Sequence, residues 1–270
     1  MVSCPPVPWG RKFKSTFGRD PVRLTPSLAL VGSLQFGISG PFDSHVYALK
    51  GPAGIVMIDV GAGTHTEQLL DNLRSDLMTD AVKALVLTHC HLDHCGGAAG
   101  VRKRTACQVI APQLSRSVLE TGDEEACGLR SAREQGTYPP DFRLEPCPVD
   151  LGVADGANFE AGGINFKAIH VRGHSEDMFC YWTHFNGHNW LFTGDAVFYG
   201  GVLGVINVRG SGMDGYRSDL RKLQGLAVEG LFPGHGLMTL KDGQKHIDRA
   251  IEQVKKGFLP PQVGQGGLVL

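Results

Sequence analysis

The sequence has no apolar run of about 18 residues, which argues against a membrane-spanning helix. Its opening stretch, MVSCPPVPWGRKFKST, lacks the apolar core of a secretory signal. Cysteine is sparse and unpatterned. The seven residues, Cys4, Cys90, Cys95, Cys107, Cys127, Cys147 and Cys180, are odd in number and irregularly spaced, with no C-x-x-C. That excludes a disulfide scaffold and a zinc ribbon, and predicts free thiols in a reducing cytoplasm. Charge of one sign is missing too. Lys and Arg number 26 against 27 Asp and Glu, so the net charge of −1 gives no electrostatic case for a nucleic-acid or membrane partner. The local exception, Arg11, Lys12, Lys14, Arg19 and Arg23, reads as a solvated N-terminal arm.

What is present fits an ordinary soluble globular chain: 270 residues, 42% hydrophobic and 20% charged, enough to bury a real core. Many of the 37 glycines close apolar runs, as tight turns between short strands require. Strand-like runs cover 27–33, 45–50, 54–59, 83–88, 107–111, 165–171, 178–184 and 189–194, with a hairpin at 51–54. Helical spacing predicts helices over 66–77 and 213–226. A last helix carries Ile247, Ala250, Ile251 and Val254 on one face, with Asp242 as cap and Gly257 as stop. Two runs of strands, each followed by helices, predict two packed sheets with helices outside. The division is an N-terminal arm 1–24, a domain 25–257 with a polar, lid-like inserted segment 112–150, and a tail 258–270. A homodimer through that tail is left open.

The stretch VLTHCHLDHCGG carries the chemistry. An apolar run stops and three histidines and an aspartate follow within six residues, a cluster costly to bury without a partner. His89 and His91, two apart, point the same way from an extended strand end, and Asp93 and His94 follow as the chain turns. Neutral imidazole and carboxylate suit zinc, and also iron or manganese. Cys90 falls on the opposite side, toward the core. Further candidates close other strands beside glycine: His174 in HVRGHS, Asp195 in LFTGDA and His235 in LFPGHG. Any one of them alone reads as a structural residue; their joint occurrence in this order reads as a metal site.

With Asp59 in VMIDVGAG, these residues resemble the metallo-β-lactamase superfamily across residues 25–257, with H-x-H-x-D-H followed by Gly-Gly the most specific match. The resemblance implies an α/β fold, a four-layer αβ/βα sandwich of two mixed sheets flanked by helices, with two divalent ions at one edge. It implies that His89, His91 and His174 bind one ion, that Asp93, His94 and His235 bind the other, that Asp195 bridges both, and that Asp59 orients a ligand histidine. His170 is expected to be structural.

Two such ions lower the pKa of a shared water toward neutrality. The expected reaction is attack of a metal-bridging hydroxide on the carbonyl of a small acyl substrate, a lactone or a thioester, with Asp93 moving a proton. FTGDAVFYGG is similar to glyoxalase II enzymes, but their Cys-Gly-Arg continuation is missing and only about 35 residues follow His235. The pattern also resembles the acyl-homoserine lactonases, which carry a tyrosine three residues after the bridging aspartate. Here Phe198 stands there and Tyr199 is next, so Tyr199 is the expected catalytic hydroxyl. Arg172, where the family has proline, is expected in a surface ion pair ahead of a contact with an anionic substrate. The alternatives are a persulfide-dioxygenase-like iron oxidoreductase, β-lactamase action on amide rings, nucleic-acid cleavage, and a binding module on a dead scaffold.

Overall fold

The computed structural model describes residues 20–77, 81–208, 210–257 and 260–261. Its first sheet runs in chain order: β1 (Val22–Thr25), β2 (Leu28–Gly32), β3 (Val46–Gly51), β4 (Gly54–Ile58), β5 (Val82–Val86), β6 (Gln108–Pro112) and β7 (Leu151–Val153). β1 to β4 pair antiparallel, the β3–β4 hairpin closing at Gly51 and Gly54, and β4 to β7 pair parallel. The second sheet holds β8 (Asn158–Ala161), β9 (Ile164–His170), β10 (Phe179–Phe185), β11 (His188–Gly194) and β12 (Gly230–Pro233), with β12 beside β11 and parallel to it.

Period-two alternation sorts each strand's side chains between two cores. Leu28, Leu30, Val56, Ile58, Ala84 and Val86 face the second sheet, where Phe166, Phe179, Tyr181, Trp190 and Phe192 meet them. The intervening Ala29, Val31, Ile55, Met57 and Leu85 face outward onto α1 (Thr66–Leu77) and α3 (Ala98–Thr105). On the far side, Cys180 and Leu191 pack against α6 (Met213–Asp219) and α7 (Gly243–Lys255). The layers are therefore helix, sheet, sheet, helix.

The segment 112–150 is a crossover between the parallel strands β6 and β7. It carries α4 (Arg116–Thr121) and α5 (Leu129–Glu134). Leu119, Cys127, Leu129, Leu144, Cys147 and Val149 bury against the outer face of the first sheet, so the segment shares the core on that side. Three local expectations change. The strand expected over 83–88 ends at Val86. The helix expected over 213–226 tightens into a 3₁₀ turn at Leu220–Leu223, which still buries Tyr216, Leu220 and Leu223. Asp242 stands at the start of α7 at φ 57° without a side-chain cap bond. Among the described residues, no helix is long and apolar enough to cross a membrane. Six cysteines are free and buried. Cys4, most of the basic arm and most of the tail lie outside the described residues.

Candidate metal centre

The H-x-H-x-D-H motif sits past β5, on an extended loop that turns into α2 (Leu92–Cys95), with His91 at the helix entry. His174 follows β9, Asp195 follows β11 and His235 follows β12. Strand ends at one edge of the sandwich thus bring all seven expected ligands together. Their donor atoms form three overlapping groups, each within 4.8 Å: His89, His91 and His174; His89, His94 and Asp195; and Asp93, His94 and His235. Asp195 stands between them. Its Oδ1 lies 3.4 Å from His94 Nε2, and its Oδ2 lies 3.5 Å from Nε2 of both His174 and His235.

The surrounding hydrogen bonds fix which imidazole nitrogens face inward. Gly204 O can only accept, so His174 Nδ1 carries the hydrogen, at 2.6 Å, and its Nε2 is a lone pair. Asp59 Oδ2 accepts from His94 Nδ1 at 2.8 Å, turning His94 Nε2 inward. Thr88 Oγ1 donates to Asp59, so it accepts from His89 Nδ1 and turns His89 Nε2 inward. Asp59 thereby orients two histidines, one directly and one through Thr88. It does so from a left-handed backbone, φ 58°, uncommon for a side-chain-bearing residue and typical of functional sites.

Inward lone pairs beside carboxylates are an unfavourable arrangement unless a cation sits among them. His94 Nε2 and Asp195 Oδ1 are buried with no hydrogen-bond partner, and Asp93 Oδ2 lies only 3.3 Å from that nitrogen. Burial pushes His89 well down, His91 down and His174 down to about 4, so these three imidazoles are neutral; His94 goes the other way, its burial outweighed by Asp93, Asp195 and Asp59, which push it well up. Burial also opposes the charge of Asp93 and Asp195, but the facing imidazoles outweigh it and hold both carboxylates below their usual range. The donor set and the two orphaned atoms fit divalent cations.

Backbone braces hold the loops. Ser44 donates to Asp93 O from its amide, at 3.2 Å, and from its hydroxyl, at 2.8 Å. Three buried tyrosines donate to carbonyls close to ligands: Tyr47 to Pro233, Tyr181 to Leu87 and Tyr216 to Asp195. Gly234 must lack a side chain, because a Cβ there would meet His94 Cε1 at 2.5 Å. Sequence reasoning missed Asp177. Its buried carboxylate accepts from Cys90 N, Ser115 Oγ and Ser175 Oγ and pins the loop beneath His91. An acidic residue three past His174, in HSED, was its only signal.

Other expectations resolve by position. Cys90 does face the outer core, where burial pushes its thiol well up. His170 stacks on Phe179 at 4.7 Å and its Nε2 lies 2.8 Å from Glu176 O, a structural role. Arg172 donates to Asp219 at 2.7 Å, on the surface and away from the ligands. The structure does not bring Tyr199 to the centre. Alternation after Asp195 turns Phe198 inward, its ring 6.5 Å from that of His235, and turns Tyr199 outward, 41% exposed with its ring 4.1 Å from His246. The hydroxyl that does reach the ligands is that of Tyr138, which donates to Asp93 Oδ1 at 3.3 Å. Burial and the Asp93 charge push this phenol well above its usual range, so it stays a donor.

A cavity of ≈ 500 Å³ opens beside the candidate ligands His91, Asp93, His174, Asp195 and His235. Leu34, Phe42, Leu92, Leu129, Tyr138 and Ile206 give it largely apolar walls.

A family model described as the metallo-beta-lactamase superfamily matches residues 39–235. Among curated proteins, the chain is 28% identical over 214 residues to an atrochrysone carboxyl ACP thioesterase of Aspergillus fumigatus, covering 79% of this chain and 56% of that one. It is 25% identical over 156 residues to a hydroxyacylglutathione hydrolase of Bdellovibrio bacteriovorus, covering 58% and 49%. The chain thus spans about half the length of these relatives. Among solved structures, BJP-1, a subclass B3 metallo-beta-lactamase of Bradyrhizobium japonicum, matches with a TM-score of 0.66 at 20% identity, covering 91% of this chain and 94% of that one. A Cronobacter sakazakii metallo-beta-lactamase with a mutated HARLDQ motif matches at 0.67 and 20%, covering 89% and 97%. At such identity these structures establish the fold. Together with the profile match and the motif order, they lead to one conclusion: the chain belongs to the metallo-beta-lactamase superfamily.

Proposed function

We propose that this superfamily hydrolase is a dinuclear enzyme that hydrolyses a small acyl compound, a thioester ahead of a lactone. The observation that carries the reading is the set of inward lone pairs and orphaned atoms beside an apolar cavity. His89, His91 and His174 would hold one ion, Asp93, His94 and His235 the other, and Asp195 both. Zinc suits these donors best, and iron or manganese accept the same set. Bound ions supply Lewis acidity and make water acidic enough to react near neutral pH. The protein's own part is to orient the ligands through Asp59, Thr88 and Gly204 and to bind the acyl chain against Leu34, Phe42 and Leu129. Asp93, with 19% of its side chain exposed against 3% for Asp195, is the ligand carboxylate open enough to pass a proton to a leaving group.

The thioester preference rests on two supports. The chain is similar, at 28% and 25% identity, to relatives named as a thioesterase and as a hydroxyacylglutathione hydrolase. The lactonase expectation needed Tyr199, which faces away. A reducing cytoplasm remains the proposed location, in line with six free buried thiols.

The test is hydrolysis by the metal-loaded protein of an acyl thioester, acyl-glutathione, acyl-homoserine lactones and a chromogenic cephalosporin. A thioester turned over with kcat/KM above roughly 10⁴ M⁻¹s⁻¹, the lower end for effective enzymes, supports the reading. Turnover of the cephalosporin alone, or oxygen uptake on a persulfide by an iron-loaded form, overturns it.

A further inference from the structure

The five tyrosines divide by what their hydroxyls reach. Tyr47, Tyr181 and Tyr216 brace backbone carbonyls, and Tyr199 faces outward. Of the five tyrosines Tyr138 alone puts its hydroxyl on a candidate ligand side chain, and it comes from the crossover between β6 and β7, not from a ligand-bearing loop.

The geometry separates the two oxygens of Asp93. Oδ2 lies 3.1 Å from His235 Nε2 and 3.3 Å from His94 Nε2, facing the second group of ligands. Oδ1 faces Tyr138. With Ser44 holding the Asp93 carbonyl, the carboxylate's remaining freedom is rotation about its own side-chain bonds, and the phenol stops that rotation with Oδ2 inward. Tyr138 is itself held. Its ring lies 5.5 Å from that of Phe42 and stacks at 5.7 Å on that of Phe142, whose carbonyl accepts from Arg133 at 2.6 Å. Arg133 pairs in turn with Glu124.

We propose that Tyr138 is a positioning residue for the second metal position: its hydroxyl fixes Asp93 with one oxygen toward the ion, so that the crossover segment sets occupancy of that position while the first position is independent of it. This rests on the dinuclear reading above. A hydrogen-bond partner behind a ligand typically carries roughly 10–100-fold in metal affinity or activity.

The experiment is a zinc titration of the metal-free chain against a chromophoric chelator, for wild type, Tyr138→Phe and Tyr138→Ala, with thermal unfolding of each metal-free protein. Tyr138→Phe keeps the ring contacts and removes the donor alone. The expected result is an unchanged first affinity, a second affinity weakened roughly 10–100-fold, and unchanged metal-free stability. Turnover at limiting zinc should fall in step with occupancy of the second position. Two wild-type-like affinities in Tyr138→Phe would overturn the proposal. Equal weakening of both, or an effect confined to Tyr138→Ala and accompanied by lower stability, would make the residue merely structural and overturn it too. A wild-type chain that saturates at one ion would instead strike down the dinuclear reading.

Discussion

The ligand loops and the crossover 112–150 meet at the same cavity but are built on opposite terms. The ligand loops are over-determined. Each candidate ligand ends or follows a strand, and Asp59, Thr88, Gly204 and Ser44 fix side chains or backbone from behind. The crossover touches the ligands through one hydroxyl, that of Tyr138, and otherwise supplies apolar wall through Cys127, Leu129 and Ala132. The difference teaches where chemistry and selectivity are divided. In the proposed reading, reaction type belongs to groups that cannot move without losing a buried hydrogen bond, and substrate shape to the crossover's apolar wall, which apart from Tyr138 can be repacked while the candidate ligands stay in place.

The contrast breaks most severely at Asp195. Asp195→Ala should lower metal content and turnover together, by at least the roughly 10–100-fold that loss of an outer partner costs. Metal analysis and kinetics on the same preparation check this, and full activity with two ions retained would remove the bridging assignment. Gly234→Ala should come next. Its Cβ would press on His94 at 2.5 Å, so zinc content should fall and stability should drop by about 1–3 kcal/mol, the usual cost of overpacking. Thermal unfolding with and without zinc separates the two effects.

Leu129→Ala probes the other region. Leu129 is 1% exposed and lines the cavity, so unfolding free energy should fall by about 2–5 kcal/mol, the range for truncating a buried leucine. KM for a long acyl chain should change while metal stoichiometry does not. A loss of metal would mean that the two regions are not separable as argued.

The sequence makes the two regions unequally legible for the same reason. H-x-H-x-D-H places four candidate ligands within six residues, and the others each follow an apolar run beside glycine, so local spacing was enough to assemble the set. The two sheets were readable because alternation such as Leu28, Ala29, Leu30, Val31 buries both faces. Asp177 was not readable as a site residue, nor was the bond of Tyr138 to Asp93, since the partners lie 87 and 45 positions away along the chain. Tyr199 shows the opposite failure. Adjacency to the Asp195 motif suggested a role, but a 3₁₀ turn at Tyr199–Gly201 sends the side chain outward.

Arg172 tests a smaller claim. Burial opposes the charge of Asp219, but Arg172 and Lys222 outweigh it and bring the carboxyl from 3.8 down to about 2. A depressed folded pKa means a contribution present above about pH 4 and lost as pH falls through about 2. Because the Arg172 side chain is 44% exposed, Arg172→Ala should cost only about 0.2–1 kcal/mol at neutral pH, with less of that difference at acid pH and kinetic constants unaltered. A raised KM for an anionic substrate would show the arginine reaching the cavity after all.

The smallest expected effect belongs to Tyr199. Its neighbour Phe198 occupies the inward position against His235, and its own ring packs on His246, whose Nδ1 accepts from Gly200 N at 2.9 Å. Removing the hydroxyl takes nothing from the ligands or the cavity wall. Tyr199→Phe should therefore leave kcat, KM and zinc stoichiometry within error of wild type, while the same change at Tyr138 weakens the second ion. A fall in kcat for Tyr199→Phe at saturating zinc would require the turn at Tyr199–Gly201 to swing the phenol inward when substrate binds. That would make the 3₁₀ turn, and not the crossover, the source of the catalytic hydroxyl.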